Sequence, residues 1–125
     1  MTALVIAEHD NHALKAATLV ALTAAGRLGG NTDVLVAGSD IDAVTRQAAG
    51  IGGVTRVRRA KADYLSSALP EDLAPLIASM APAYSHLIAG ATSFGKNLMP
   101  RVAAVLDVAQ ISDVVAIHSD RKSVV

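Results

Sequence analysis

Short, uninterrupted apolar runs alternate with segments of helical period along this chain, and that alternation narrows the possible folds sharply. The runs are Ala3–Ala7, Val34–Ala37, Leu87–Ala89 and Val114–Ile117. A half-buried strand alternates apolar with polar residues. A continuous run means burial on both faces, as in a strand inside a parallel sheet. The first helical segment extends from about Asn11 to Leu28, with Leu14, Ala17, Ala21, Ala24 and Leu28 on one stripe. Asp10 or Asn11 can cap its start, and Gly29-Gly30 can end it. A short helix fits Asp40–Ala49. The next begins near Pro70, with Glu71 and Asp72 in the first turn, where the helix dipole favours acids. It buries Leu73, Leu76, Ile77 and Met80, and Pro82 stops it. Leu98, Val102, Val105, Leu106 and Ala109 mark a fourth helix.

This β-α-β-α-β-α-β-α-β order predicts a Rossmann-like, three-layer α/β/α fold with a mainly parallel sheet and right-handed crossovers. The third strand, Val54–Arg58, carries Arg56 and Arg58 among valines. Charge of that kind suits an exposed sheet edge, where it deters aggregation. The expected strand order is therefore 3-2-1-4-5. Strands 1 and 4 then meet at the topological switch point, where ligands of such sheets bind beyond the strands' carboxyl ends. Glu8, His9 and Asp10 follow the first of these strands, and Ala91, Thr92 and Ser93 follow the other. At 125 residues, with no internal repeat or linker, the chain reads as one α/β domain over 1–125.

Composition removes several function classes. Three aromatic residues do not make a stacking platform for nucleic acid. Acids and bases balance at 11 each, so no global field points to a polyanionic partner. The absence of cysteine excludes disulfides and thiolate chemistry and is compatible with a reducing compartment. No apolar stretch approaches the roughly 20 residues needed to cross a bilayer, so membrane insertion is not expected. Met1-Thr2-Ala3-Leu4-Val5-Ile6 has neither the basic flank nor the apolar length of a signal peptide. The expected location is the cytoplasm, or the mitochondrial matrix in a eukaryote.

Three groups could carry chemistry. Gly90-Ala-Thr-Ser-Phe-Gly-Lys96 matches the phosphate-binding pattern G-x-x-x-x-G-K, so Thr92, Ser93, Gly95 and Lys96 are the candidate ligand-binding residues. That pattern needs Ser or Thr next, to hold magnesium, and the residue here is Asn97. Pro100 also removes a backbone N–H early in the helix. The alternative is a structural turn that reverses the chain onto a packed helix. Glu8-His9-Asp10-Asn11-His12 could hold a metal, but consecutive residues in a turn point apart, and a capping turn with solvated histidines accounts for them. His86 and His118 flank strands and read as surface or strand-end residues. Arg56, Arg58, Arg59 and Lys61 could contact nucleic acid, yet zero net charge favours a solvated sheet edge. No catalytic Ser/His/Asp set, paired carboxylates or catalytic cysteine is readable, so no catalytic residue and no metal ligand is expected.

Leu4-Val-Ile-Ala-Glu-His9, Leu35-Val-Ala-Gly38, Ala89-Gly-Ala-Thr-Ser-Phe-Gly-Lys-Asn-Leu-Met-Pro-Arg-Val-Ala-Ala104 and Val108-Ala-Gln-Ile-Ser-Asp113 together resemble the N-terminal domain of electron transfer flavoprotein alpha subunits. The likeness is collinear over nearly the whole chain. Asn97 belongs to that family's pattern, which accounts for the imperfect phosphate-loop match. The resemblance implies an electron carrier subunit, not an enzyme. In this family FAD is held mainly by a C-terminal domain of the alpha subunit. The N-terminal domain packs against a beta subunit of similar fold, which binds AMP or, in bifurcating relatives, a second FAD. The heterodimer takes electrons from acyl-CoA dehydrogenases of fatty acid beta-oxidation and related dehydrogenases, and passes them to a quinone oxidoreductase. Because the chain stops at Val125, the resemblance implies a segment that ends before the flavin domain. Tight FAD binding is not expected of it alone, and an unpaired sheet edge should favour self-association. Two other readings stay open: a small nucleotide-binding protein using Gly90–Lys96, and a flavodoxin-like signalling domain, for which Glu8 and Asp10 supply only part of an acidic site.

Overall fold

The computed structural model describes residues 2–107, and the backbone of 110–111 and 115–118. Strand β1 (Thr2–Ile6) leads to α1 (Ala16–Gly26), β2 (Asn31–Gly38), α2 (Asp42–Ala49) and β3 (Arg56–Lys61). A 3-10 turn (Asp63–Leu65) precedes α3 (Pro70–Met80), and a second (Ala81–Ala83) precedes β4 (His86–Ala89). Helix α4 (Ser93–Leu106), β5 (Gln110–Ile111) and β6 (Val115–His118) follow. The sheet runs β3-β2-β1-β4-β6-β5. The first four strands are parallel, in the expected order, with β3 at an edge.

The fifth expected strand corresponds to β6, which takes the expected place beside β4 but runs antiparallel to it. The chain ends its last helix, lays down β5 outermost and returns as β6. Three residues separate β5 from β6. A connection that short allows only antiparallel pairing, because a parallel one needs a crossover of a dozen residues or more. Val114 and Ala109 lie outside the described residues.

Each sheet face is packed by two helices. Leu4, Ile6, Leu35 and Leu87 meet Leu73, Ile77, Leu98, Met99 and Val102 of α3 and α4 on one face. Val34 and Val36 pack against α2, and Ala3, Val5 and Ile88 against α1. The buried runs of β1, β2 and β4 thus serve both layers, as continuous apolar strands require. Leu76 and Met80 are only partly buried, and Val105 is exposed.

The first helix starts later than its apolar stripe suggests. Asp10 Oδ1 accepts from the backbone N–H groups of His12 and Ala13, both at 2.9 Å, and Asn11 adopts φ 74°. Lys15 N–H then returns to the Glu8 carbonyl at 2.9 Å. Asp10 therefore closes a separate turn instead of capping the helix. That turn holds the Asp10 carboxyl below the usual carboxylate range, chiefly through the Ala13 and His12 N–H donors. At the far end α1 stops at Gly26, and Gly29 supplies the left-handed turn (φ 83°) before β2.

Candidate functional site

The carboxyl ends of β1 and β4 meet at the switch point. Thr92 Oγ1 donates to Glu8 Oε1 at 2.6 Å and accepts from Gly95 N–H at 3.3 Å, so one hydroxyl joins the two strand ends and caps α4. Glu8 is anchored through its backbone too. Its N–H donates to Thr18 Oγ1 at 2.8 Å, and that hydroxyl donates to the Glu8 carbonyl at 3.1 Å. Thr18 is completely buried on α1, so this reciprocal pair fixes the helix to the end of β1. Lys15 Nζ lies 4.0 Å from Glu8 Oε2.

The two glycines of the turn are demanded by packing. A Cβ on Gly90 would stand 2.7 Å from Ala17 Cβ and 3.0 Å from the Ala17 carbonyl oxygen. A Cβ on Gly95 would run into the Gly90 carbonyl oxygen. Helix α1 is pressed on Gly90 from one side, and the first turn of α4 rests on Gly90 from the other. A phosphate loop needs an open arc of N–H groups ahead of its helix. Here the helix already begins at Ser93, within the motif, and Lys96 N–H bonds to the Thr92 carbonyl at 2.8 Å. The Glu8 carboxylate stands beside this turn, bonded to Thr92 within it.

Of the sequence candidates, Glu8, Thr92 and Gly95 come together, while Asp10, Ser93 and Lys96 are exposed. His9 turns toward the next strand. Its Nδ1 accepts from Asn11 N–H at 3.0 Å, so its Nε2 carries the proton donated to the Ala37 carbonyl at 2.8 Å. It ties the β1 turn to β2. Among the described residues no group of three or more His, Asp and Glu could hold a metal ion. His86 is a strand-end residue, as expected, being the first of β4, but it is buried and not on the surface, with its Nδ1 3.0 Å from Ser85 Oγ. Central strand position outweighs its polarity. The His118 side chain lies outside the described residues.

A second polar cluster sits at the opposite end of the sheet. Asp33, 1% exposed, holds Arg56 through Nε at 3.2 Å and Nη2 at 2.9 Å, and accepts from Tyr84 Oη at 2.7 Å. Arg58 Nη1 donates to Tyr84 Oη at 2.9 Å. These bonds all reach Asp33 Oδ2, and Oδ1 has no hydrogen-bond partner among the described residues. Arg59 and Lys61 reach Asp42 at 3.2 and 3.5 Å. At this solvent-exposed basic edge Arg56, Arg59 and Lys61 are thus paired with acids on neighbouring elements, and Arg58 with a phenol. Asp33 raises the Arg56 pKa, and burial, with the Asp33 bond, raises that of Tyr84. Asp33 and Tyr84 were not singled out by sequence reasoning. A carboxylate inside the run Thr32–Val36 was the available signal, since a buried charge needs partners.

These features define a Rossmann-like α/β scaffold whose switch point is closed by its own side chains. Residues 3–125 match the model of the electron transfer flavoprotein domain. The chain is 51% identical over 119 residues to an electron transfer flavoprotein subunit alpha of Pseudomonas aeruginosa, covering 95% of this chain and 38% of that protein. It is 50% identical over 117 residues to one from Bradyrhizobium diazoefficiens (94% and 37%). It is 44% identical over 118 residues to a probable mitochondrial one from Caenorhabditis elegans (93% and 36%). The chain belongs to the electron transfer flavoprotein family. It spans little more than a third of the length of these relatives.

Proposed function

We propose that this chain is the N-terminal, structural and subunit-contacting part of an electron transfer flavoprotein alpha subunit. In that role it is a single α/β unit and an electron carrier component without catalytic residues. The heterodimer with the beta subunit receives electrons from acyl-CoA and other dehydrogenases and delivers them to a quinone oxidoreductase. FAD supplies the redox chemistry and is bound elsewhere in the alpha subunit; AMP or a second FAD belongs to the beta subunit. Thr92, Ser93, Gly95 and Lys96 serve the fold and are not assigned to a cofactor. The setting is bacterial cytoplasm or mitochondrial matrix, in keeping with the sources of the relatives.

The observation that supports a scaffold role is the self-satisfied switch point. Glu8, Thr18 and Thr92 use their polar groups on one another and on the backbone. The test exchanges the corresponding segment of the Pseudomonas relative for these 125 residues and purifies the product with its beta subunit. A heterodimer with bound FAD that is reduced by an acyl-CoA dehydrogenase is expected. Failure of the two subunits to assemble, or magnesium-dependent ATP binding by the chain itself, would overturn the proposal.

A further inference from the structure

Among the lysines and arginines of the described residues, Arg58 alone is not exposed. It stands in β3 opposite Leu35 of β2, on the sheet face that α3 and α4 cover. A cation withdrawn from water ordinarily has an anion beside it. Arg58 has a phenol instead, its Nη1 donating to Tyr84 Oη at 2.9 Å. No carboxylate lies within ion-pair distance of it among the described residues. Tyr84 in turn gives its proton to Asp33 Oδ2 at 2.7 Å, the same oxygen that holds Arg56. Two guanidiniums therefore share one carboxylate through an uncharged phenol. Asp33 answers Arg56, and the charge of Arg58 is left over.

The same bonds fix both side chains in place. A long side chain on a sheet edge loses rotamer freedom when it takes a ligand, and that cost weakens binding. Here Arg56 is already held through Nε and Nη2, and Arg58 through Nη1. Two residues apart on one strand, they share a sheet face. Each planar fork has five N–H donors. Nη1 of Arg56, with Nε and Nη2 of Arg58, makes no bond among the described residues. Asp33 is 1% exposed, so an arriving anion meets the forks and not the carboxylate. Forks of this kind recognise oxyanions, and phosphate has oxygens enough for both. The neighbouring cations differ. Arg59 and Lys61 lie on the opposite face of β3 and share the Asp42 carboxylate.

We infer that Arg58 and Arg56, held by Tyr84 and Asp33, form a binding site for the phosphate group of a small molecule at the β3 edge. It lies at the end of the sheet opposite the switch point. The experiment uses the intact subunit that carries this chain, purified with its partner subunit. Phosphorus NMR follows inorganic phosphate, and in a second arm glycerol phosphate, with ionic strength held constant by chloride. Saturation in about the millimolar range is expected. Arg58→Lys keeps the charge and loses the fork, and should weaken binding roughly tenfold. Tyr84→Phe, which leaves both arginines but frees Arg58, should weaken it roughly threefold. Arg59→Gln, on the opposite face, should leave it unchanged. Melting at the parent's temperature shows that a variant folds. Saturation by inorganic phosphate alone assigns the free ion, and saturation by both probes assigns a phosphate ester. Binding by Arg58→Lys as tight as the parent's, or an equal loss in Arg59→Gln, would reduce the effect to general charge and overturn the inference. A parent protein with no saturable binding would overturn it without recourse to any variant.

Discussion

Thr92 shows how much structure one hydroxyl can hold. It caps α4 through the Gly95 N–H and, by donating to Glu8, fastens the end of β4 to the end of β1. Valine matches threonine in shape but can do neither. Thr92→Val should therefore lower unfolding free energy by about 1–2 kcal/mol, the range of a lost helix cap, while Thr92→Ser, which keeps the hydroxyl, should lose far less. Chemical denaturation of the two variants checks this. The sequence put Glu8 and Thr92 at one place, because strand order alone brings those ends together. It could not show that they bond to each other, nor that Thr18 on α1 completes the group. Those bonds depend on helix rotation, which spacing does not resolve.

At the level of elements, the edge strand β3 is the instructive case. Its cations were legible, and so was its place at the edge. Their partners were not, because Asp33 and Tyr84 lie far apart in sequence and meet only across the assembled sheet. Tyr84 Oη both donates to Asp33 and accepts from Arg58. Tyr84→Phe should cost about 2 kcal/mol, as expected for a buried hydrogen bond to a charged group. Its pH dependence has a definite sign. The folded-state pKa lies above the ordinary 10.0, so the neutral phenol is the form that the fold prefers. That contribution is complete below pH 10 and is lost as pH rises through the raised value. The stability gap between parent and Tyr84→Phe, measured by urea unfolding, should accordingly narrow above pH 10. A gap that widened there would contradict the cluster. The start of α1 and the direction of β6 also escaped prediction. Local turn chemistry decided the first, through Asp10 and the positive φ of Asn11. A short hairpin decided the second.

For the molecule as a whole, layer order followed from periodicity alone, since buried runs and helical stretches leave few ways to cover a sheet. What the Gly90–Lys96 turn does could not be read that way, because a phosphate loop and a packing turn share the same glycines. The packing reading draws on what stands beside each glycine: Ala17 of α1 against Gly90, and the Gly90 carbonyl against Gly95. Urea unfolding of Gly95→Ala and Lys96→Ala side by side measures the difference. A methyl on Gly95 should cost about 3 kcal/mol, the upper range for overpacking a close contact. Removing the exposed Lys96 side chain should change stability by less than about 0.5 kcal/mol, as for a surface substitution. A Gly95→Ala protein as stable as the parent would mean that the turn is free to open, and would contradict the packing role on which the scaffold reading stands.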